Sequence, residues 1–424
     1  MEVENLVLLV CMTLLLSFIS SLFYRVTKIP DVIWLIGFGI LMGSGIHYVD
    51  KNLFNELAPL MSILALSIIL FEAGINVDII TLIDNMGKAA VLSILSILFS
   101  TFMLGVVMNY IFPNDFTLLQ GMLLGAMVGG TSTVAVFGIF GNLEKSLPNI
   151  GSAKIMLTME SIISDPVCII ASITIIKMIM QPGASIIDGF SDIVYTFVLS
   201  SILGVFFGLL WSIILNRLRT LPHTYMITLA VLLPVYILSE KLIGDGAGAM
   251  TALSFGLAIT NYGFFMSKMG RSGKVWINVR RLREFHEEIV FFIKSFFFVY
   301  IGVVVTITRK YMFLGLMLVL LLMIMRFGVV TAISNVLQFT GEETSIARVV
   351  YASGLPAFVI SQLPQLYDPN GTIFLTPGLY PDICMPIVLG TILYSGLFGP
   401  WMINQDLKSS KVVNIKEFNE EEEK

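Results

Sequence analysis

The chain has very little charge for its length. Only 13% of its 424 residues are Asp, Glu, Lys or Arg, whereas 56% are hydrophobic and the mean hydropathy is +0.90. A soluble protein of this size needs more polar surface to cover its core. The apolar segments are long and continuous, not short and alternating as in a membrane β-barrel. The composition therefore indicates an integral membrane protein of the α-helical type.

Several other features are scarce or missing. The net charge of −4 is too small to suggest a nucleic-acid partner. The three cysteines, Cys11, Cys168 and Cys384, lie far apart in apolar stretches, so they indicate neither a disulfide framework nor a metal motif. The sequence has no Walker motif, nucleotide-binding glycine fingerprint or nucleophile elbow. We therefore expect neither an ATP-driven pump nor an enzyme, and we expect no cofactor.

A membrane-spanning helix needs about 20 apolar residues. By that measure the sequence predicts an all-α polytopic membrane protein with about thirteen transmembrane helices. They lie at 5–24, 31–49, 55–77, 88–112, 116–141, 149–180, 190–215, 224–240, 245–262, 284–306, 311–336, 344–366 and 382–403. These helices form one transmembrane domain over residues 1–404, and a short charged tail follows at 405–424.

The distribution of basic residues predicts the orientation of the chain in the bilayer, because cytoplasmic loops carry most of the Lys and Arg. With the N-terminus outside, most basic residues fall on the cytoplasmic side, including the cluster between Lys268 and Arg283. The opposite side keeps only Lys51, Lys177, Lys241, Arg309 and Lys310. We therefore expect a multi-pass protein of the cell membrane with its N-terminus outside and its tail cytoplasmic.

Two predicted helices contain residues that break helices. The fifth contains Gly129-Gly130-Thr131-Ser132-Thr133, and the twelfth contains Ser353-Gly354-Leu355-Pro356. Interrupted helices in the two halves of a chain are typical of inverted-repeat transporters, in which they cross at a midplane site. The alternative is that both are packing kinks, since small residues are common where membrane helices touch.

Two carboxylates, Glu160 and Asp165, lie in a segment that should cross the bilayer, where a charged side chain costs several kcal/mol. At about 100° per helical residue, they share an arc of about 140° with Ser161 and Ser164. Ser161 and Asp165 are four residues apart and can reach one ligand together. Such oxygen ligands suit hard monovalent cations such as Na⁺, Li⁺ or K⁺.

Other polar residues complete this predicted site. Glu160, Ser161, Ser164 and Asp165 thus form a polar stripe on the sixth helix. If the fifth helix unwinds beside this stripe, Thr131 adds a hydroxyl and free carbonyl oxygens. Ser132 and Thr133 are then neutral candidates to compensate the dipoles of the half-helices. A carboxylate such as Asp165 can hold either a cation or a proton, and this competition is the simplest way to couple their exchange. In the alternative, Asp165 forms a salt bridge with Lys294 or Arg326.

Arg326 lies deep in the eleventh predicted helix and needs a charged partner. The candidates are Glu72 and Glu160. In the alternative to cation binding, Glu160 only pairs with Arg326 or orients Asp165. Lys294 lies nearer a helix end and could extend its ammonium group toward the interface.

Four short segments of the sequence together resemble the monovalent cation/proton antiporter superfamily, especially its NhaP-type sodium/proton antiporters. They are Leu70–Gly74, Gly130–Val136, Glu160–Pro166 and Phe296–Gly302. The resemblance implies a homodimer in the lipid bilayer, with dimerisation and core parts interleaved in the sequence. It also implies elevator-like alternating access and a role in pH homeostasis.

The resemblance also assigns roles to residues. Asp165 matches the essential ion- and proton-binding aspartate, and Thr131, Glu160 and Ser161 match the other Na⁺ ligands. Glu72 and Arg326 match charges that stabilise the site. We place Ser132, Ser164 and Lys294 with them as supporting residues.

The chain departs from the family pattern at three places. Ser164 stands where Asn is common, and Thr131-Ser132-Thr133 stands where Thr-Asp-Pro is common. Gly354-Leu355-Pro356-Ala357 lacks an arginine that the family often has. Because Ser164 does not titrate, one carboxylate dominates, which predicts electroneutral exchange of one cation for one proton. The departures lean partly toward potassium/proton antiporters.

We therefore expect a secondary antiporter that exchanges Na⁺ or Li⁺ for H⁺. The first alternative is a K⁺/H⁺ antiporter of the same fold. A cation channel is an alternative from another class, although it does not need broken helices or a titrating carboxylate. A carrier of organic acids would need a cationic anchor, for which only Arg326 is suitable.

Overall fold

The computed structural model of the protein describes residues 3–27, 31–45, 51–143, 150–181, 183, 186–218, 224–268, 270, 278–305, 308–403 and 405–406. These residues form helices and the turns that connect them, with no strand in the described ranges. The predicted all-α class is confirmed. Most of the predicted tail, as well as the loop positions of Lys28, Lys145, Arg271 and Lys274, lies outside the described residues.

The helices follow one another along the chain with short connections. They are α1 (Val3–Thr27), α2 (Asp31–Ile40), α3 (Lys51–Asn76), α4 (Ile79–Ile111), α5 (Leu118–Val128), α6 (Thr133–Leu143), α7 (Gly151–Met180), α8 (Ile186–Leu218), α9 (Thr224–Leu242), α10 (Ala247–Thr260), α11 (Tyr262–Lys268), α12 (Val279–Val304), α13 (Arg309–Ser334), α14 (Gly341–Val349), α15 (Leu355–Ser361), α16 (Leu363–Tyr367) and α17 (Leu379–Leu393). Wider π-helical turns extend α2 over Leu41–Gly45 and α17 over Tyr394–Phe398.

Seven helices in the described part of the chain are long and apolar enough to cross a membrane, namely α1, α4, α7, α8, α9, α13 and α17 with its extension. An eighth span results if α10 and α11, which meet at an angle of 79°, are counted as one. The protein is therefore a multi-pass membrane protein, but the predicted number of about thirteen spans is not confirmed. Other apolar helices, such as α2 and α5, are short.

Capping residues begin several of these helices. Asp78 accepts a hydrogen bond from the amide of Ile80, so α4 begins well before its predicted start at residue 88. Thr117 forms a capping box with Gln120 at the start of α5, and Thr340 forms one with Glu343 at the start of α14. Because hydropathy does not detect caps, it misses helical turns that extend beyond the apolar segment.

Two unwound segments, each between two short helices, contact each other. Residues 129–132 separate α5 from α6, and residues 350–354 separate α14 from α15. The backbone amide of Ser132 donates to the carbonyl oxygen of Ala352 at 2.7 Å. A Cβ atom at Gly354 would lie 2.7 Å from Cβ of Ser132, so only glycine fits this close approach. The prediction of two broken, crossing helices is confirmed.

The helices pack mainly as two groups. The first group contains α1–α3 and α8–α12, and the second group contains α4–α7 and α13–α17. Glycines allow backbones to approach closely inside each group. Gly39 of α2 and Gly302 of α12 face each other in the first group, and Gly105 of α4 and Gly121 of α5 do so in the second.

The chain passes between the two groups after α3, α7 and α12. The passage from α3 to α4 is the shortest, since only Val77 and Asp78 separate the two helices. Asn261, which follows α10, holds both sides of this passage. Its Nδ2 donates to the carbonyl of Val77 at 2.9 Å, and its Oδ1 accepts from the amide of Ile79 at 3.0 Å.

Candidate ion-binding site

A buried ion pair joins α7 to α13. Glu160 and Arg326 are 1% and 0% exposed, and the two guanidinium nitrogens donate to the two carboxylate oxygens at 2.5 and 2.8 Å. Of the two predicted partners of Arg326, the structure therefore selects Glu160. Because Arg326 engages both oxygens of Glu160, the geometry agrees with the pairing role that the sequence left open for Glu160 as an alternative to binding a cation.

Arg326 also reaches the broken helix. Its Nε donates to the carbonyl oxygen of Ala347 at 2.8 Å, and its Nη1 donates to Oγ of Ser96 at 2.9 Å. Ala347 lies in the last turn of α14, where carbonyls lack helical partners and the helix dipole is negative. Arg326 thus places a positive charge at the break, although residues 354–357 contain no arginine.

Asp165 lies near the middle of α7 and is 8% exposed. Its carboxylate lines a cavity of about 320 Å³. Among the described residues it makes no hydrogen bond and no ion pair. Lys294 instead binds Glu72, with Nζ 2.9 Å from a carboxylate oxygen. The alternative in which Asp165 forms a salt bridge with Lys294 or Arg326 is therefore not observed.

Two serines connect Asp165's helix to the first break. Oγ of Ser164 accepts from the amide of Thr131 at 3.1 Å and lies 3.1 Å from the carbonyl oxygen of Ser161. Oγ of Ser161 donates to the carbonyl of Thr158 at 2.9 Å and lies 3.1 Å from Oγ1 of Thr133. These contacts hold the unwound segment against the polar stripe of α7.

The hydroxyl of Thr131 is buried and has no hydrogen-bond partner within the described ranges. Such an orphaned oxygen is unusual, because buried polar groups are nearly always paired. The structure thus brings the backbone of Thr131 to the polar stripe of α7 as predicted and leaves its hydroxyl without a protein partner in the part of the chain that it describes. Ser132 lies in the same break and lines the cavity.

The cavity lies between the two helix groups. Asp31, Glu72 and Lys294 line it from the first group, and Thr158 and Asp165 line it from the second. It extends from Asp165 toward the face at which α2 begins and α3 ends. A carboxylate near the middle of a membrane-spanning helix thus borders a space between the two helix groups.

Sequence reasoning missed some of these residues. Asp31 was not singled out, although a carboxylate at the start of an apolar segment is an unusual signal. The sequence indicates Thr133 only as a neutral residue of the break, whereas the structure also places its hydroxyl 3.1 Å from Oγ of Ser161.

A second missed cluster surrounds Glu343 at the start of α14. Its carboxylate accepts from Nζ of Lys88 at 2.9 Å, from the amide of Thr340 at 2.9 Å and from the hydroxyl of Ser152. Burial alone would raise the pKa of Glu343, but these hydrogen bonds bring that pKa below its ordinary value. The cluster joins α4, α7 and α14, and the spacing of Thr340 and Glu343 was its available signal.

Comparisons with known proteins place this geometry in context. The family model described as "Sodium/hydrogen exchanger, transmembrane" matches residues 12–409. The chain is 25% identical over 314 residues to Sodium/hydrogen exchanger 7 of Arabidopsis thaliana, which covers 70% of this chain and 26% of that protein. It is 29% identical to the K(+)/H(+) antiporter NhaP2 of Shewanella sp. (strain ANA-3), covering 60% and 43%. It is 26% identical to the Na(+)/H(+) antiporter ApNhaP of Aphanothece halophytica, covering 68% and 51%.

The chain spans only about a quarter to a half of the length of these relatives. Among solved structures, it is similar to the sodium proton antiporter MjNhaP1 from Methanocaldococcus jannaschii at pH 8. The TM-score is 0.78 at 15% identity, and the match covers 95% of this chain and 99% of that one. At this identity the similarity establishes the fold, which is the antiporter fold expected from the motifs.

Proposed function

The chain belongs to the sodium/hydrogen exchanger family, and we propose that it is a secondary active antiporter that exchanges Na⁺ or Li⁺ for H⁺ across the cell membrane. The observation that carries this proposal is the environment of the Asp165 carboxylate. Its carboxylate borders a cavity between the two helix groups and has no partner among the described residues. A buried carboxylate without a partner needs a cation or a proton to neutralise it.

We assign Asp165 as the residue that binds both cation and proton. Ser161 and Thr131 are its neutral oxygen ligands, and the unpaired hydroxyl of Thr131 supports this assignment. Glu160 contributes through its ion pair with Arg326, which holds α7 and α13 in place around the site. Ser164 positions the break by accepting from the amide of Thr131. Glu72 and Lys294 supply a neutral pair in the facing wall.

Exchange follows from competition, because one carboxylate holds either a cation or a proton. Ser164, next to it, cannot titrate, so one cation moves for one proton and the exchange is electroneutral. In our proposal the second group is the core part and carries Asp165 past the first group, which is the dimerisation part of a homodimer. With the N-terminus outside, the cavity opens to the cytoplasm.

A second candidate is a K⁺/H⁺ antiporter. The supporting observation is the relative from Shewanella whose name gives K(+)/H(+) exchange. Ser132 and Ser164 also stand at positions where the sodium/proton antiporters of the family commonly have Asp and Asn. Both candidates use Asp165 in the same way and differ only in the preferred cation.

The test is cation-driven proton flux in proteoliposomes, measured with Na⁺, Li⁺ and K⁺ in turn under an imposed pH gradient. We expect flux with Na⁺ or Li⁺, and we expect Asp165→Asn to abolish it while the protein remains folded. Asp84→Asn is the matched control, since Asp84 lies on an exposed position of α4. Flux with K⁺ alone would select the second candidate. Unchanged flux in Asp165→Asn would overturn the mechanism.

A further inference from the structure

We propose that Glu240 is a positioning residue for transport, which holds the turn between α9 and α10 against α7 and so keeps Asp165 closed on the side that the cavity does not reach. We call this contact of the turn with α7 the seal. The proposal rests on the proposed antiport function, because a carrier with alternating access closes one side of its site while the other is open.

One face of α7 is directed toward the first group. The residues by which α7 lines the cavity all come at or before Asp165, and Met159 and Ile162 are among them. Ile170 lies eleven residues beyond Met159. Ile173 lies equally far beyond Ile162. Eleven residues complete three helical turns to within about 20°. Since Ile170 and Ile173 are 1% and 7% exposed, the face that borders the cavity before Asp165 is covered beyond it.

The turn between α9 and α10 forms part of this cover. A Cβ atom at Gly246 would lie 3.1 Å from Cδ1 of Ile173 and 3.6 Å from Cα of Ile170, so the backbone of the turn lies directly on α7. Nearby, a Cβ atom at Gly244 would lie 3.6 Å from Nζ of Lys177. The turn belongs to the first group and α7 to the second. The seal therefore joins the two groups and has to separate when the second side of the site opens.

Glu240, near the end of α9, holds this turn in place. Its two carboxylate oxygens accept from the amides of Gly246 and Gly248 at 2.8 Å each. These amides lie at the start of α10, where the helix dipole is positive. Gly246 is the N-cap residue of α10 and has no side chain to accept such a bond, and its φ of +91° favours glycine. The carboxylate of the preceding helix thus supplies the cap.

The cap and the seal share one residue. Gly246 is bound by Glu240 and also contacts α7. Loss of the carboxylate leaves the amide of Gly246 without this acceptor, and the turn then leaves α7 more often. The fraction of molecules with an open seal should therefore depend on Glu240, whereas access to the cavity should not.

The experiment measures how fast N-ethylmaleimide labels a cysteine under the seal in the full-length protein in detergent. Ile173→Cys reports on the seal and Met159→Cys on the cavity, each combined with Cys11→Ser because Cys11 is exposed. The buried native Cys384 reports on general loosening of the fold. Peptide mass spectrometry separates the labelled sites. When opening and closing are fast, the labelling rate follows the open fraction.

Glu240→Gln should raise the labelling rate of Ile173→Cys by about fivefold, the factor by which loss of a typical helix cap changes an equilibrium constant. Glu240→Asp keeps the charge on a side chain one methylene shorter and should raise the rate less. The rates at Met159→Cys and Cys384 should stay unchanged. Asp245→Asn is the matched control, because it removes a charge from an exposed position of the same turn.

An unchanged rate at Ile173→Cys in Glu240→Gln would overturn the proposal, and so would an equal rise in Asp245→Asn. A parallel rise at Cys384 would mean that Glu240 only stabilises the fold. If Glu240→Gln does not fold, Glu240→Asp decides by the same criteria. The proposed function fails by a different result, namely exchange that persists in Asp165→Asn, so the two failures are distinguishable.

Discussion

The backbone of Ser132 binds the backbone of Ala352, and this contact joins the two breaks of the fold at 2.7 Å. Side chains satisfy other groups at the same crossing, since the hydroxyls of Tyr351 and Ser353 both donate to the carbonyl of Val128 at 3.0 and 2.8 Å. Unwound backbone inside a membrane protein must find such partners. These hydrogen bonds hold the two unwound segments in one arrangement, so a substitution at their closest contact should alter transport.

The first prediction concerns Gly354. A Cβ atom there would lie 2.7 Å from Cβ of Ser132, so Gly354→Ala pushes the two breaks apart. Overpacking of this kind costs about 1–3 kcal/mol. We expect a lower melting temperature in detergent and a clear loss of exchange rate. Gly328→Ala is the control, because a Cβ there meets no atom within 4 Å. Equal effects of the two substitutions would contradict the prediction.

The second prediction concerns Arg326. Removing one partner of a buried ion pair costs about 3–5 kcal/mol, because the other charge stays buried alone. Arg326→Ala should therefore lower thermal stability more than Asp165→Asn, whose carboxylate has no protein partner to leave behind. As a control, Arg280→Ala removes an 89% exposed arginine and should change stability little. Thermal unfolding in detergent measures all three. A larger loss for Asp165→Asn would mean that the pair contributes little.

The third prediction concerns pH. If a cation and a proton compete for Asp165, the half-saturating cation concentration rises with acidity, by about tenfold per pH unit well below the pKa of the site. The maximal rate at saturating cation changes less. Initial rates of exchange at several pH values and cation concentrations test this. A flat half-saturating concentration with a collapsing maximal rate would indicate a separate pH sensor in place of simple competition.

The fourth prediction concerns Glu343, whose pKa in the folded protein lies below the ordinary value of 4.5. A lowered pKa means that the ionised form stabilises the fold above that ordinary value and that this stability is lost as the pH falls through the folded pKa. Glu343→Gln should thus lower the melting temperature at pH 7, and the difference from the unchanged protein should shrink below pH 4.5.

The neighbouring Glu342→Gln serves as the control for Glu343. It removes the same charge from the first turn of α14 without touching Lys88 or Ser152. Melting temperatures measured from pH 3 to 7 should separate the two variants. If the effect of Glu343→Gln persists unchanged at low pH, the carboxylate is held by shape and not by its charge.

Much of the fold was predictable from the sequence, because hydropathy and helix-breaking residues are local signals. The predicted segment 149–180 agrees with α7, and the breaks near Gly129 and Gly354 lie where expected. Helix ends were less predictable. The start of α4 at Ile79 depends on the cap from Asp78, and the charges of Asp84 and Lys88 hide those turns from a hydropathy measure.

The pairing of charges was harder to predict than their presence. Glu72 and Glu160 are both carboxylates in apolar segments, and the sequence offered both to Arg326. Only the tertiary packing, in which α4 contacts both α7 and α13 and α3 contacts α12, decides that Glu160 binds Arg326 and Glu72 binds Lys294. Such contacts join residues more than a hundred positions apart, for which local patterns hold no information.

The short passage from α3 to α4 has a mechanical consequence. Only Val77 and Asp78 separate α3 of the first group from α4 of the second group. The side chain of Asn261 forms hydrogen bonds to the backbone of Val77 and of Ile79. So short a joint allows rotation but almost no translation. In the alternating access that we propose, the two groups therefore pivot at this point, and the displacement grows with distance from it. The links after α7 and α12 contain more residues and therefore restrict this displacement less.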